Sequence, residues 1–181
     1  MKTNINITAK IILVAFTWFA TSCASQKQAV TVDVQQAYMQ EVYTSLLQEL
    51  SDDIEVAIVE DSVKVIFVTG ILFKVNEDVI QNESHPYFKR FAGVLNNYLK
   101  TTILITGHAD STGDEKLNIE LSEKRADNAK KLLKNFNVDG KRIYTLGHGS
   151  TLPIATNNTS AGRAKNRRVE FIILYNYNGK K

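Results

Sequence analysis

Asp110 and Arg125 are the residues of this chain whose types and spacing carry the most chemistry. Asp110 stands in the polar, glycine-bounded stretch Gly107-His108-Ala109-Asp110-Ser111-Thr112-Gly113, just after a strand-like run over 102–106, and Arg125 lies two or more turns into the helical pattern that follows. Junctions of this kind are where α/β proteins tend to place ligands. One negative and one positive group facing a common crevice suit a zwitterion, the carboxylate receiving an ammonium and the guanidinium a carboxylate. An ordinary structural Asp–Arg pair has the same spacing, and spacing leaves both readings open. Arg125 falls one turn after Leu121 and one before Ala129, so its stem starts near an apolar stripe. Its head must therefore snorkel outward or meet an acid at the sheet edge, which favours Asp110 as partner, directly or across a ligand.

The elements around these two residues follow from periodicity. Helical spacing of Val34, Ala37, Tyr38, Val42, Leu46, Leu47 and Leu50 predicts a helix over 33–50. Between 52 and 70, Ile54, Val56, Ile58 and Val63, Val65, Phe67 alternate on either side of Glu60-Asp61-Ser62, a hairpin pattern. The segment 71–80 starts apolar and turns polar near Asn76, so its polar half suits a crevice wall. A helix is predicted over 84–99, with Pro86 in its first turn and Phe88, Phe91, Ala92, Leu95, Tyr98 and Leu99 facing inward. Ile103-Leu104-Ile105 is a strand, and a second helix runs from Asp114 or Glu115 to Phe136 with Leu117, Leu121, Ala129, Leu132, Leu133 and Phe136 as its buried stripe. Strands follow at 142–147 and 169–175, separated by a long irregular loop over 148–168. The fold class is α/β, an α+β sandwich with a mixed sheet and helices on one face.

The first residues read as an export leader. Lys2 and Lys10 precede the apolar run Ile11 to Ala20, too short for a permanent membrane span, and Ala20-Thr21-Ser22-Cys23 resembles the lipobox of bacterial lipoproteins, whose cysteine becomes the lipidated first residue. The organisation expected is a signal peptide over 1–22, a lipidated tether and helix over 23–51, the domain over 52–175 and a polar tail over 176–181. Cys23 is the only cysteine, so there is neither an intramolecular disulfide nor a CxxC redox site. The formal charge of +3 drops to about +1 once Lys2 and Lys10 are set aside, too little to argue for nucleic acid.

Gly107-His108-Ala109-Asp110, Gly113, Asn118, Leu121-Ser122 and Arg125-Ala126, followed by Asn157, Gly162-Arg163-Ala164 and Asn166-Arg167-Arg168-Val169-Glu170, resemble the OmpA C-terminal family, and Leu72-Phe73 with Asn76 looks like its early segment. Two separated motifs in the right order are a specific signal, and the likeness extends over 60–175. The resemblance implies a β-α-β-α-β-β core that binds the peptide stem of peptidoglycan non-covalently, with diaminopimelate as the anchor. By position it implies that Asp110 receives the diaminopimelate ammonium, that Arg125 grips its carboxylate, that Asn76, Thr112 and Asn118 support that group, and that Leu121 and Ser122 shape the wall. Lys74 departs from the family pattern, standing where an aspartate is common, and Ser150 stands where glutamate is frequent.

Together these readings describe a binding protein with no turnover and no cofactor. It would be lipid-anchored in the outer membrane through Cys23, with its domain in the periplasm on the peptidoglycan. An envelope protein docking module built on the same fold is the alternative. Arg163, Arg167 and Arg168 read first as structural, fixing the long loop through salt bridges and carbonyl contacts, and second as direct ligand contacts. His108, Asp110 and His148 supply donor types for zinc, but Asp110 already has an assignment and no metal is expected. Ser111 has no evident base, which argues against an enzyme.

Overall fold

Alternating apolar residues build the sheet, and register decides which face the helices cover. The computed structural model describes residues 22–50, 54–74 and 77–176, with side chains from Val34 onward. The expected leader, the side chain of Cys23 and Asn76 lie outside that description. Strands β1 (Glu55–Val59) and β2 (Ser62–Val68) form an antiparallel hairpin, with Glu60 at a φ of 52° in the turn. They are followed by β3 (Thr101–His108), β4 (Ile143–Gly147) and β5 (Arg168–Tyr175). The sheet order is β1-β2-β5-β3-β4, mixed in direction, with β3 and β4 parallel and the other neighbours antiparallel.

The last strand thus enters between β2 and β3. Because β5 runs antiparallel to both, the ends of β2 and β3 and the start of β5 meet on one edge of the sheet. On the covered face Val63, Val65 and Phe67 of β2 stand opposite Ile173, Phe171 and Val169 of β5, and Ile103 and Ile105 of β3 complete the rows. All eight side chains are fully buried.

Two helices pack on that face. Helix α3 (His85–Asn97) carries Pro86 in its first turn and sends Phe88 and Phe91 between Phe67 and Phe171, with ring centroids 5.1–6.1 Å apart in edge-on and tilted contacts. Helix α4 (Glu115–Asn135), capped by Asp114 accepting from the Leu117 N–H, lies on β3 and β4. Helix α1 (Ser22–Glu49) begins earlier than the predicted start near Asp33. From Gln35 onward it belongs to the body of the domain, burying Met39, Val42, Leu46 and, just past its end, Leu50. Tyr38 accepts from the Lys100 N–H and stacks edge-on against Tyr98 and Tyr175. Among the described residues no helix is long and apolar enough to cross a membrane.

Several expected core positions are exposed. Leu99 is 70% exposed because α3 stops at Asn97 and leaves it in the turn to β3, and Leu117 is 63% exposed because it precedes the part of α4, from Ile119, that touches the end of β4. Val34 and Leu47 also face outward on α1. The loop over 148–168 is not wholly irregular, since it contains α5 (Ser160–Asn166), whose N-cap Thr159 accepts from the Gly162 N–H.

The opposite face of the sheet carries a buried charged row. Glu170 bonds Lys64 at 3.0 Å and Arg168 at 2.8 Å, and Arg168 also donates to the carbonyls of Asn166 and Leu152, fixing the long loop to β5. His108 beside them bonds Thr106 through Nε2 and stacks on His148, while its buried Nδ1 has no hydrogen-bond partner among the described residues. Burial, with the charge of Arg168 next, lowers its pKa from 6.5 to about 4 against the opposing pull of Glu170. Between those two values the unfolded chain binds the extra proton, so stability falls as pH drops from about 6.5 towards 4. Glu170, held below the usual carboxylate range by its two cations despite burial, loses its contribution only at lower pH. Thermal melts between about pH 7 and pH 5 should therefore show a falling midpoint that His108→Asn flattens. Equal slopes in both proteins would remove His108 as the cause.

Candidate functional site

The edge where β2, β3 and β5 meet holds a cavity of about 470 Å³. The end of β2 continues into α2 (Thr69–Leu72), which with Phe73 and Lys74 supplies one wall; the loop after β3 supplies Ala109, Asp110 and Thr112. Asn118, Leu121 and Arg125 enter from α4, and Arg163 and Arg167 from α5 and its exit. Residues far apart in sequence meet here because β5 is inserted between the two strands whose ends carry the other walls.

The loop carrying Asp110 is pinned from several sides. The Ala109 N–H donates to the Gly149 carbonyl at 2.8 Å, and Asn118 Nδ2 donates to the carbonyls of Asp110 and Thr112 at 3.3 and 3.1 Å. The Ser111 N–H donates to Asn157 Oδ1, which also accepts from Asn166 Nδ2. Asn166, fully buried, accepts from the Ile154 and Ala155 N–H groups, so one side chain ties the long loop to the ligand loop through Asn157. Gly113 takes a φ of 86°, a left-handed turn that favours glycine.

Asp110 is 7% exposed. Oδ1 accepts from the Thr112 N–H at 2.9 Å and Oδ2 from Arg167 Nη1 at 2.6 Å, leaving lone pairs on both oxygens for a further donor. Burial pushes the carboxyl upward, but the bonds from Arg167 and Thr112 outweigh it and hold the pKa below its usual value. It is an anion at neutral pH.

Arg125 is 3% exposed, and its guanidinium lies over the Phe73 ring, 5.2 Å from the centroid. Nε donates to the Glu77 carbonyl at 3.0 Å, while neither Nη donates to any described residue. Burial, followed by the like charge of Arg167, pulls its pKa downward, with Asp78 and Asp110 opposing. A desolvated guanidinium with both terminal nitrogens uncommitted is a fork prepared for a carboxylate.

Asp110 and Arg125 thus line one cavity, but Arg167 rather than Arg125 is the direct ion partner of Asp110. Thr112 and Asn118 line it too, with the Thr112 N–H and the Asn118 amide nitrogen committed to the loop. Leu121 is on the wall, whereas Ser122 is fully buried and accepts from the Gly149 N–H instead of facing the cavity. Of the arginine cluster, Arg168 is structural, while Arg163 and Arg167 combine structural bonds with cavity lining. Arg167 is the contributor that sequence reasoning read first as fixing the loop and second as a ligand contact, without pairing it to Asp110. A local signal marks the helix but not its target: Thr159 as a cap with Arg163 and Lys165 in the last turn points to α5, whereas the place its exit reaches is set by the pairing of β5. His108 and His148 stack on each other while Asp110 bonds Arg167, and among the described residues no group of three His, Cys, Asp or Glu could hold a metal.

This architecture, a five-stranded mixed sheet with helices on one face and a charged cavity at the junction of β2, β3 and β5, defines a ligand-binding module of the OmpA/MotB type. The OmpA family profile matches residues 72–167, and the chain belongs to that family. As a member, the domain is a binding module and not an enzyme. Outer membrane protein A of Bordetella avium is 38% identical over 111 residues, 61% of this chain and 57% of its own length. The probable lipoprotein YiaD of Escherichia coli K12 is 46% identical over 82 residues, 45% of this chain and 37% of its own. This chain therefore spans little more than half of the first of these relatives and less of the second. The solved structure of the cell wall anchor of the T6SS from Pseudomonas aeruginosa superposes with a TM-score of 0.65 at 28% identity, covering 76% of this chain and 96% of that one.

Proposed function

We propose that the cavity binds peptidoglycan by the diaminopimelate of its peptide stem, in a protein lipid-anchored to the outer membrane through Cys23. The observation that carries this reading is the buried Arg125 fork, uncommitted at both Nη atoms among the described residues, in the same cavity as the Asp110 carboxylate. Diaminopimelate ends in an ammonium and a carboxylate on one carbon, and two charge-assisted anchors distinguish that terminus from a plain aliphatic amine. Arg125 takes the carboxylate and Asp110 the ammonium, whose remaining protons reach the lone pairs that Arg167 and Thr112 leave open. Arg167, 43% exposed in its side chain, holds Asp110 in its rotamer. Family membership supports cell-wall binding, as does likeness to an anchor named for the cell wall. The leader pattern ending in Cys23 and the likeness to a probable lipoprotein support the membrane end. One chain holding both layers would couple them mechanically.

The test is co-sedimentation of the full chain with purified diaminopimelate-type peptidoglycan. The unsubstituted protein should pellet, and Asp110→Ala, with its fold checked by circular dichroism, should stay in the supernatant with affinity reduced about tenfold or more. An unsubstituted protein that does not pellet overturns the reading.

A further inference from the structure

The cavity holds more positive charge than a zwitterion can answer. Lys74, Arg125, Arg163 and Arg167 line it against the single carboxylate of Asp110. Arg167 already neutralises Asp110, and Arg163 spends Nη1 on the Asn157 carbonyl. A diaminopimelate side-chain terminus brings one ammonium and one carboxylate, so docking it leaves the excess unchanged.

Lys74 is the cation without an assignment. It is exposed on the wall next to Phe73, the ring on which Arg125 lies, and it forms no ion pair among the described residues; the lysine and arginine ion pairs there use Lys64, Lys124, Arg167 and Arg168. One turn earlier on the same wall, the buried Thr69 hydroxyl has no hydrogen-bond partner among the described residues. A mobile ammonium beside a fixed guanidinium fork suits a ligand with a second carboxylate a short distance from the first.

We propose that Lys74 forms a second carboxylate subsite, so that the cavity selects a stem peptide with two free carboxylates, one in the Arg125 fork and one at Lys74. This rests on the peptide-stem reading above and adds a specificity to it: amidating the second carboxylate weakens binding. In a tripeptide of alanine, γ-linked glutamate and diaminopimelate, that carboxylate is either the glutamate α-carboxylate or the peptide C-terminus. Both are a single negative charge on a short arm, and the two differ in which amide the protein rejects.

The experiment is titration calorimetry of the full chain with three synthetic tripeptides: all carboxylates free, glutamate α-carboxamide, and C-terminal carboxamide. The free peptide should bind about five- to tenfold more tightly than one of the two amides, the size of one partly exposed charge contact, and the amide that loses affinity identifies the source. Lys74→Gln should bring the free peptide down to the affinity of that amide and leave the amide's own affinity unchanged. Equal affinity of the unsubstituted protein for all three peptides overturns the Lys74 subsite and leaves the peptide-stem reading standing, as does discrimination that survives in Lys74→Gln. Failure to bind any of the three overturns the peptide-stem reading itself, and the subsite with it.

Discussion

Arg125→Met should abolish retention on peptidoglycan while leaving the unliganded chain at least as stable as before, and by about 1 kcal/mol more stable if the aliphatic stem repacks on Phe73. A structural arginine would behave in the opposite way. The guanidinium is nearly inaccessible, lies over an aromatic ring and, among the described residues, makes one hydrogen bond, to a carbonyl, with no carboxylate in ion-pair range. Burying a charge with no anion bonded to it costs folding energy, and for the same reason burial and the like charge of Arg167 pull its pKa downward against Asp78 and Asp110. Glu77, whose carbonyl would lose its donor, is exposed and can bond water instead.

Ligand binding is what recovers that cost. Losing the fork should lower affinity roughly a hundredfold or more, in the range for truncating one member of a desolvated charge pair. Arg125→Lys should recover only part of it, because a point charge cannot grip both oxygens of a carboxylate. Co-sedimentation and thermal melts on the same preparations decide the matter. A midpoint that falls by about 5 °C or more in Arg125→Met would make the residue a structural pin for the Glu77 segment.

How much of this was legible in the sequence depends on how local each feature is. Asp110 and Arg125 were found because a strand, a loop and a helix contiguous in the chain carry both, and glycine, periodicity and charge mark all three. The ion partner of Asp110 was not found because Arg167 reaches it only through the insertion of β5 between β2 and β3, a long-range pairing that spacing does not encode. Leu99 and Leu117 failed for a related reason: each continues an apolar stripe beyond the point where a neighbour exists to cover it. Helix α5 was hidden by its shortness, Ser160 to Asn166, inside a loop that Pro153 and three asparagines make look irregular. Ser122 lies one turn before Ala126 on the helix face that meets the β4 exit, and the family likeness alone pointed it at the ligand.

The glycines of the ligand loop set how closely α4 can approach the sheet, and Gly107→Ala should be strongly destabilising. A Cβ on Gly107 would stand 2.0 Å from the Ser122 carbonyl oxygen and 2.7 Å from its carbon, both backbone atoms of α4 with no rotamer to yield. The helix would have to lift off β3 at the point where Ser122 also accepts from the Gly149 N–H. Overpacking a tight contact costs about 1–3 kcal/mol, and with a rigid backbone on both sides the upper end or beyond is expected, about 3 kcal/mol. For a chain of this length that lowers the melting midpoint by roughly 6–12 °C. Gly93→Ala is the internal control. Gly93 is exposed in the middle of α3, and a Cβ there meets nothing within 4 Å, so alanine should stabilise by about 0.5–1 kcal/mol through helix propensity alone. The two substitutions add the same methyl group and should move the midpoint in opposite directions. Gly107→Ala should also weaken peptidoglycan binding beyond its effect on folding, because lifting α4 moves Arg125 away from the Asp110 loop. A Gly107→Ala protein with an unchanged midpoint would mean that the helix is not seated on β3 as closely as the 2.0 Å contact requires.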